Sequence, residues 1–136
     1  MIIVSDTSPI NYLLLIGQIH LLPKLFAQII IPDAVRNEML DPDVPLALRS
    51  WMTQPPPWLT FQLVPLLDDS LKSLDRGEQA AITLAQILSV DLWIIDECLG
   101  RRIARERGLS IIGTLGILDD AASQGWVDVS EAIAQL

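Results

Sequence analysis

The chain has a single cysteine, a single histidine and no long apolar run, and each shortage excludes something. Cys98 has no partner in the chain for a disulfide, so it reads as a structural residue. His20 precedes an apolar helical stretch and reads as a surface or capping residue, not a base. Mean hydropathy is high, at +0.42, yet no segment approaches the roughly 18 to 20 apolar residues of a spanning helix. Patches such as residues 12–16 are broken by Gly, Gln or Pro and read as buried core. Basic residues are also scarce: 9 Lys+Arg stand against 17 Asp+Glu, for a net charge of −8. A protein that grips nucleic acid with its whole surface would not carry that balance. No basic segment precedes the first apolar run, as it would in a secretory signal. The expectation is a soluble, cytoplasmic protein with no membrane contact.

What is present is a core. At 136 residues, 51% hydrophobic and 19% charged, the chain suits one folded domain over 1–136 and is too apolar for disorder. Short β-branched runs at 1–4, 28–31, 92–95 and 110–112 read as buried strands, and residues 60–64 as a further short strand at an edge. Helices are expected from the Thr7-Ser8-Pro9 start through 11–16, and over 20–26, 33–40, 46–52, 75–88, 97–107 and 115–124. A last helical turn should lie in the tail after Val127. The Pro55-Pro56-Pro57 run must be a loop, and residues 41–60 are the natural place for variation. Strands alternating with helices imply a three-layer α/β/α fold with a mainly parallel central sheet. In such sheets ligands collect beyond the carboxyl ends of the strands.

Four acids fall where that edge should be. Asp6 and Asp96 each follow a buried strand, and neighbouring strands lie about 4.8 Å apart. Glu38 and Glu78 sit on helices that can lean over the same edge. Carboxylates without nearby His or Cys suit Mg²⁺ or Mn²⁺ far better than zinc. Each acid also has a purely local reading. Asp6 and Asp96 could cap the helices that follow them, Asp75-Arg76-Gly77-Glu78 has capping-box spacing, and Glu38 could be an ordinary solvated residue. The basic residues cluster as well: Arg101, Arg102, Arg105 and Arg107 make the only electrostatic candidate for phosphate contact. Arg101 and Arg105 share a helix face, either beside the acids or as a solvated surface paired with Glu97 and Glu106. Trp51 and Trp58 flank the proline loop and read as core or dimer contacts, Trp93 as core, and Asp119 and Asp120 as helix residues.

Ser5-Asp6-Thr7-Ser8-Pro9 after an N-terminal strand resembles the opening of PIN domains, metal-dependent endoribonucleases common as toxins of bacterial and archaeal toxin–antitoxin pairs. The resemblance continues through Ile31-Pro32-Asp33-Ala34-Val35-Arg36-Asn37-Glu38, Asp75-Arg76-Gly77-Glu78-Gln79-Ala80 and Leu92-Trp93-Ile94-Ile95-Asp96. It implies that Asp6, Glu38, Glu78 and Asp96 bind one or two Mg²⁺ or Mn²⁺ ions. We assign Asp6 and Asp96 as principal ligands, Glu78 as a ligand and Glu38 as a ligand or water-orienting base. The resemblance also implies a supporting hydroxyl from Thr7 or Ser8, an RNA substrate, a small antitoxin partner and a homodimer; on the functional reading of their shared face, Arg101 and Arg105 would contact the RNA phosphate. Gly113-Thr114-Leu115-Gly116 resembles a subgroup of PIN-like proteins. The chain departs from the common pattern in having Glu at position 78, where Asp is usual, and Glu97-Cys98-Leu99-Gly100 after the fourth acid. Two other classes compete. A haloacid-dehalogenase-type phosphohydrolase would need an Asp at position 8, where Ser8 stands. A PIN-like protein-binding module that has lost cleavage fits the acidic charge.

Overall fold

Side chains branched at Cβ pack well on a pleated, buried surface, and the short Ile, Val and Leu runs become strands. The computed structural model describes residues 1–64 and 69–136. Its strands are β1 (Ile3–Ser5), β2 (Ile29–Pro32), β3 (Leu59–Gln62), β4 (Leu92–Ile94) and β5 (Ile111–Ile112). They form one sheet in the order β3-β2-β1-β4-β5, and every pairing is parallel. The expected edge strand is β3, one residue earlier than the sequence suggested. Strand ends shift by one or two residues elsewhere as well, which is the usual uncertainty of such boundaries.

The helices are α1 (Thr7–Leu15), α2 (Leu21–Phe26), α3 (Asp33–Met39), α4 (Leu46–Thr53), α5 (Arg76–Ile87), α6 (Cys98–Glu106), α7 (Thr114–Ser123) and α8 (Val129–Ala134). Alternation along the strands sends neighbours to opposite faces, and two cores result. Ile3, Ile29, Ile31 and Ile94 pack with residues of α1, α3, α4 and α7, including Leu13, Val35, Leu48 and Ile117. Val4, Trp93 and Ile95 pack on the other face with Ala81, Ile82 and Leu84 of α5 and Ala104 of α6. The result is the α/β/α sandwich with a parallel sheet. Helix α5 is buried on more than one face, with Ile82 and Thr83 covered along with Ala80, Ala81, Leu84 and Ala85. Among the described residues no helix is long and apolar enough to cross a membrane.

Two local expectations change. The apolar run at 12–16 is not wholly core: Leu13 and Ile16 are buried, while Tyr12 and Leu15 are 44% and 53% exposed, because the run forms an amphipathic helix with one face outward. Cys98 is exposed at the start of α6 instead of packed. His20 is a surface residue, as expected, and holds the N-cap position of α2 without a capping hydrogen bond. Trp51 and Trp58 meet each other at 5.9 Å between ring centroids and pack against the first core, and Trp93 is fully buried.

The chain order matters for the site. It moves outward from β1 through β2 to β3, then returns to the other side of β1 as β4 and β5. The reversal falls between β1 and β4, where Ser5 pairs with Ile94. In open parallel sheets this topological switch leaves a crevice at the carboxyl ends of the two strands.

Candidate active site

Asp6 is the first residue beyond β1, and its backbone N–H donates to Ile94 O of β4 at 3.0 Å. It therefore sits in the crevice, 5% exposed. It occupies the N-cap position of α1 yet makes no side-chain capping bond. Part of the reason is covalent: Pro9, the third residue of that helix, has no N–H to give. Burial raises the Asp6 pKa to about 7, and the charges of Asp75, Glu38 and Asp96 push the same way against the Thr7 backbone N–H. A carboxylate capping a helix in the ordinary way would be shifted down, so the capping account of Asp6 does not describe this residue.

Glu78, in the first turn of α5, is 6% exposed. The forward half of the expected capping box is present, since Glu78 N–H donates to Asp75 Oδ1 at 2.8 Å. The Glu78 carboxyl itself lies toward α6, where a Cβ on Gly100 would come within 3.2 Å of its Oε2. Glycine at 100 leaves room for that carboxyl. Burial first, then the charges of Asp75, Asp6 and Glu97, push its pKa up to about 8.

Glu38 and Asp96 are held differently. Thr7 Oγ1 donates to Glu38 Oε2 at 2.7 Å, and Gly77 N–H donates to Glu38 Oε1 at 3.0 Å. The Glu38 carboxylate thus ties the first turns of α1 and α5 together, and it is not an ordinary solvated residue. Burial raises its pKa, against the Thr7 hydrogen bond. Asp96 does not cap α6, whose N-cap is Glu97. Instead it reaches across to α7: Thr114 N–H donates to Oδ1 at 2.7 Å and Thr114 Oγ1 donates to Oδ2 at 2.6 Å.

All four predicted acids thus stand at the carboxyl edge of the sheet, with Glu38 and Asp96 gripped by donors. Among the described residues, no three His, Cys, Asp or Glu side chains form a ready-made ion cage. Of the two candidate hydroxyls, Thr7 reaches an acid, while Ser8 is exposed. Arg101 is half-buried beside Asp96, because a Cβ on Gly113 would lie 2.7 Å from Asp96 Oδ1 and 3.0 Å from Arg101 Nη1. Arg105 is exposed one turn further along.

Two of the four acids line concavities. Glu38 lines a cleft of about 520 Å³ with Asp33, Asn37, Asp41 and Arg76, and Asp96 with Thr114 lines one of about 370 Å³ beside Tyr12, Leu115 and Leu136. Two site residues escaped the sequence reading. Asp75 acts on Asp6, Glu38 and Glu78 together, but its spacing announced only a helix cap. Thr114 belonged to a noticed motif whose contact with Asp96 spans 18 positions.

A PIN-domain family model matches residues 2–136 of the chain. Among solved structures, the chain is similar to a PilT N-terminus domain protein of the hyperthermophilic archaeon Sulfolobus solfataricus P2. The identity is 14%, the match covers 89% of this chain and 93% of that one, and the TM-score is 0.65. No curated protein matches it in sequence. An all-parallel five-stranded α/β/α fold with acids at its switch point, matched over nearly its whole length, defines a nuclease-type class of protein. The chain belongs to the PIN-domain family, whose members are generally nucleases that use divalent metal ions.

Proposed function

We propose that this protein is an Mg²⁺- or Mn²⁺-dependent endoribonuclease acting at the carboxyl edge of β1 and β4, of the kind that serves as the toxin of a prokaryotic toxin–antitoxin pair. The observation that carries the reading is the pair Asp6 and Glu78, two buried carboxyls raised to about 7 and about 8 by burial and by neighbouring acids. Groups so destabilised as anions are what a dication would stabilise, and strongly perturbed acids mark functional sites. The donor set is all oxygen, with His20 and Cys98 both exposed and outside it, so it fits a hard cation.

Asp6, Glu78 and Asp96 would hold the metal. Bound there, it would supply an activated water and stabilise charge on the leaving oxygen. The Glu38 carboxylate, fixed by Thr7 and Gly77, orients the α1 and α5 ends and can accept a hydrogen bond from water on its remaining lone pairs. Arg101 binds substrate phosphate beside Asp96, and the exposed Arg105 extends that contact.

The test is cleavage of a mixed RNA substrate. Cutting should require Mg²⁺ or Mn²⁺, stop with chelator, and fall by more than 100-fold in Asp6→Asn and Asp96→Asn. A second reading has its own support: both oxygens of Glu38 and of Asp96 already accept hydrogen bonds, and the described acids form no ready-made ion cage. On that reading the protein is a PIN-like module that binds a partner protein without cutting. Metal binding without cleavage of any RNA would favour it.

A further inference from the structure

We propose that Gly113 and Thr114, at the start of α7, are positioning residues that fix the Asp96 carboxylate for cation binding. The inference rests on the metal-site reading above and adds to it residues outside the acidic set.

Asp96 stands two residues beyond β4 and is followed by α6, so nothing in its own segment holds its side chain. Its restraint comes from the next crossover. The two hydrogen bonds, 2.7 Å from the Thr114 backbone N–H and 2.6 Å from its hydroxyl, engage both carboxylate oxygens at once. Paired bonds to the two oxygens set the plane of the carboxylate as well as its position, which a single bond would not do. Thr114 is 3% exposed, so water does not compete for its hydroxyl. Each carboxylate oxygen keeps a further lone pair, which a cation could use. Partners that bind the back of a ligating carboxylate typically govern metal affinity by 10- to 100-fold.

Gly113 makes the approach possible. A Cβ there would stand 2.7 Å from Asp96 Oδ1, inside any allowed contact, and 3.0 Å from Arg101 Nη1. The backbone at Gly113 is ordinary and extended. The requirement for glycine is therefore one of space between α7, Asp96 and Arg101, not of backbone conformation. Arg101 Nη1 borders the same space, on the other side of the missing Cβ.

The experiment compares the full chain with Thr114→Val, Thr114→Ser and Gly113→Ala, reading Mn²⁺ affinity by calorimetry and melting temperature in chelator. Thr114→Val keeps shape and the backbone donor but loses the hydroxyl. It should weaken Mn²⁺ binding by about 10-fold or more, while Thr114→Ser restores affinity to within about 3-fold of wild type. Gly113→Ala should weaken it at least as much as Thr114→Val. A merely structural role for Thr114 would lower the melting temperature in chelator and leave Mn²⁺ affinity unchanged, and that result would overturn the proposal. So would equal affinities for Val and Ser at position 114. Should Thr114→Val fail to melt cooperatively, Gly113→Ala against wild type decides in the same way. Wild-type protein that binds no Mn²⁺ would remove the metal-site reading and this inference with it. Wild-type binding with unaltered variants removes the inference alone.

Discussion

Gly77 and Glu38 lie 39 positions apart in sequence, and the backbone N–H of the first donates to Oε1 of the second at 3.0 Å. With the Thr7 hydroxyl on the other oxygen, Glu38 spans α1 and α5. Removing the carboxylate leaves two partly buried donors without an acceptor, at a cost of about 1–3 kcal/mol. Glu38→Ala should lower unfolding free energy by that amount in denaturant melts. Glu38→Gln should cost much less, because an amide can accept from Gly77 and donate to Thr7. Gly77→Ala should also destabilise, since its Cβ would run into the Glu38 carboxylate. The double variant Glu38→Ala with Gly77→Ala should then fall short of the sum, because one change removes what the other collides with. Strict additivity would mean that the bridge between the helices carries no energy.

The raised acids set a pH dependence for the metal-free protein. Asp6, Glu38 and Glu78 all bind their protons more tightly in the fold than their ordinary values of 3.8 and 4.5 would allow. Between those values and the folded ones, the native state holds protons that the unfolded chain has released. Stability therefore falls as pH rises. The contribution is full below about pH 4, declines through about 7 and about 8 for Asp6 and Glu78, and levels off above. Melting temperature in chelator, followed from pH 5 to pH 9, should decline, and Asp6→Asn should flatten part of that slope. A rising profile would contradict the burial of these two carboxyls.

Much of this edge could be read in one dimension. Asp6 and Asp96 follow short β-branched runs, and in a parallel sheet the residue after a buried strand has only one edge to occupy. The family signature around Glu38 and Glu78 did the rest, because it lies on continuous stretches. What stayed hidden was contact between distant segments. Asp75 looked like a cap because its nearest partner, Glu78, is three residues away, and a local partner masks a distant role. Asp96 looked like the cap of its own helix, while its carboxylate in fact meets Thr114 on the following crossover. The exposure of Tyr12 and Leu15 was obscured for the opposite reason: a run apolar at every position carries no period from which an outward face can be told.

Those two residues bear on assembly. Tyr12 and Leu15 leave an apolar strip on the outside of α1, and the proposed homodimer would bury it. Light scattering at micromolar concentration should give about twice the 15.0 kDa chain mass. Leu15→Asp, which puts a charge in the strip, should return the protein to monomer without loss of helical signal. A monomeric wild type would exclude the dimer at that concentration.

The sharpest separation of the metal site from helix capping comes from Asp6→Asn. Asparagine matches aspartate in size and is also a good N-cap, so a capping residue would tolerate the change with little effect on stability or on response to metal. A carboxyl crowded by Asp75, Glu38 and Asp96 behaves otherwise. Removing its charge relieves repulsion, and the metal-free variant should be at least as stable as wild type above pH 7. Mn²⁺ that binds only the folded chain adds stability as the logarithm of its concentration over the dissociation constant, about 2.7 kcal/mol at a hundredfold excess. Wild type should therefore gain several degrees in millimolar Mn²⁺, and more at pH 8 than at pH 6, because the ion must displace protons from Asp6 and Glu78. Asp6→Asn should gain distinctly less at both. Equal melting shifts in the two proteins would mean that Asp6 holds no cation, and the acids at this edge would then need another explanation.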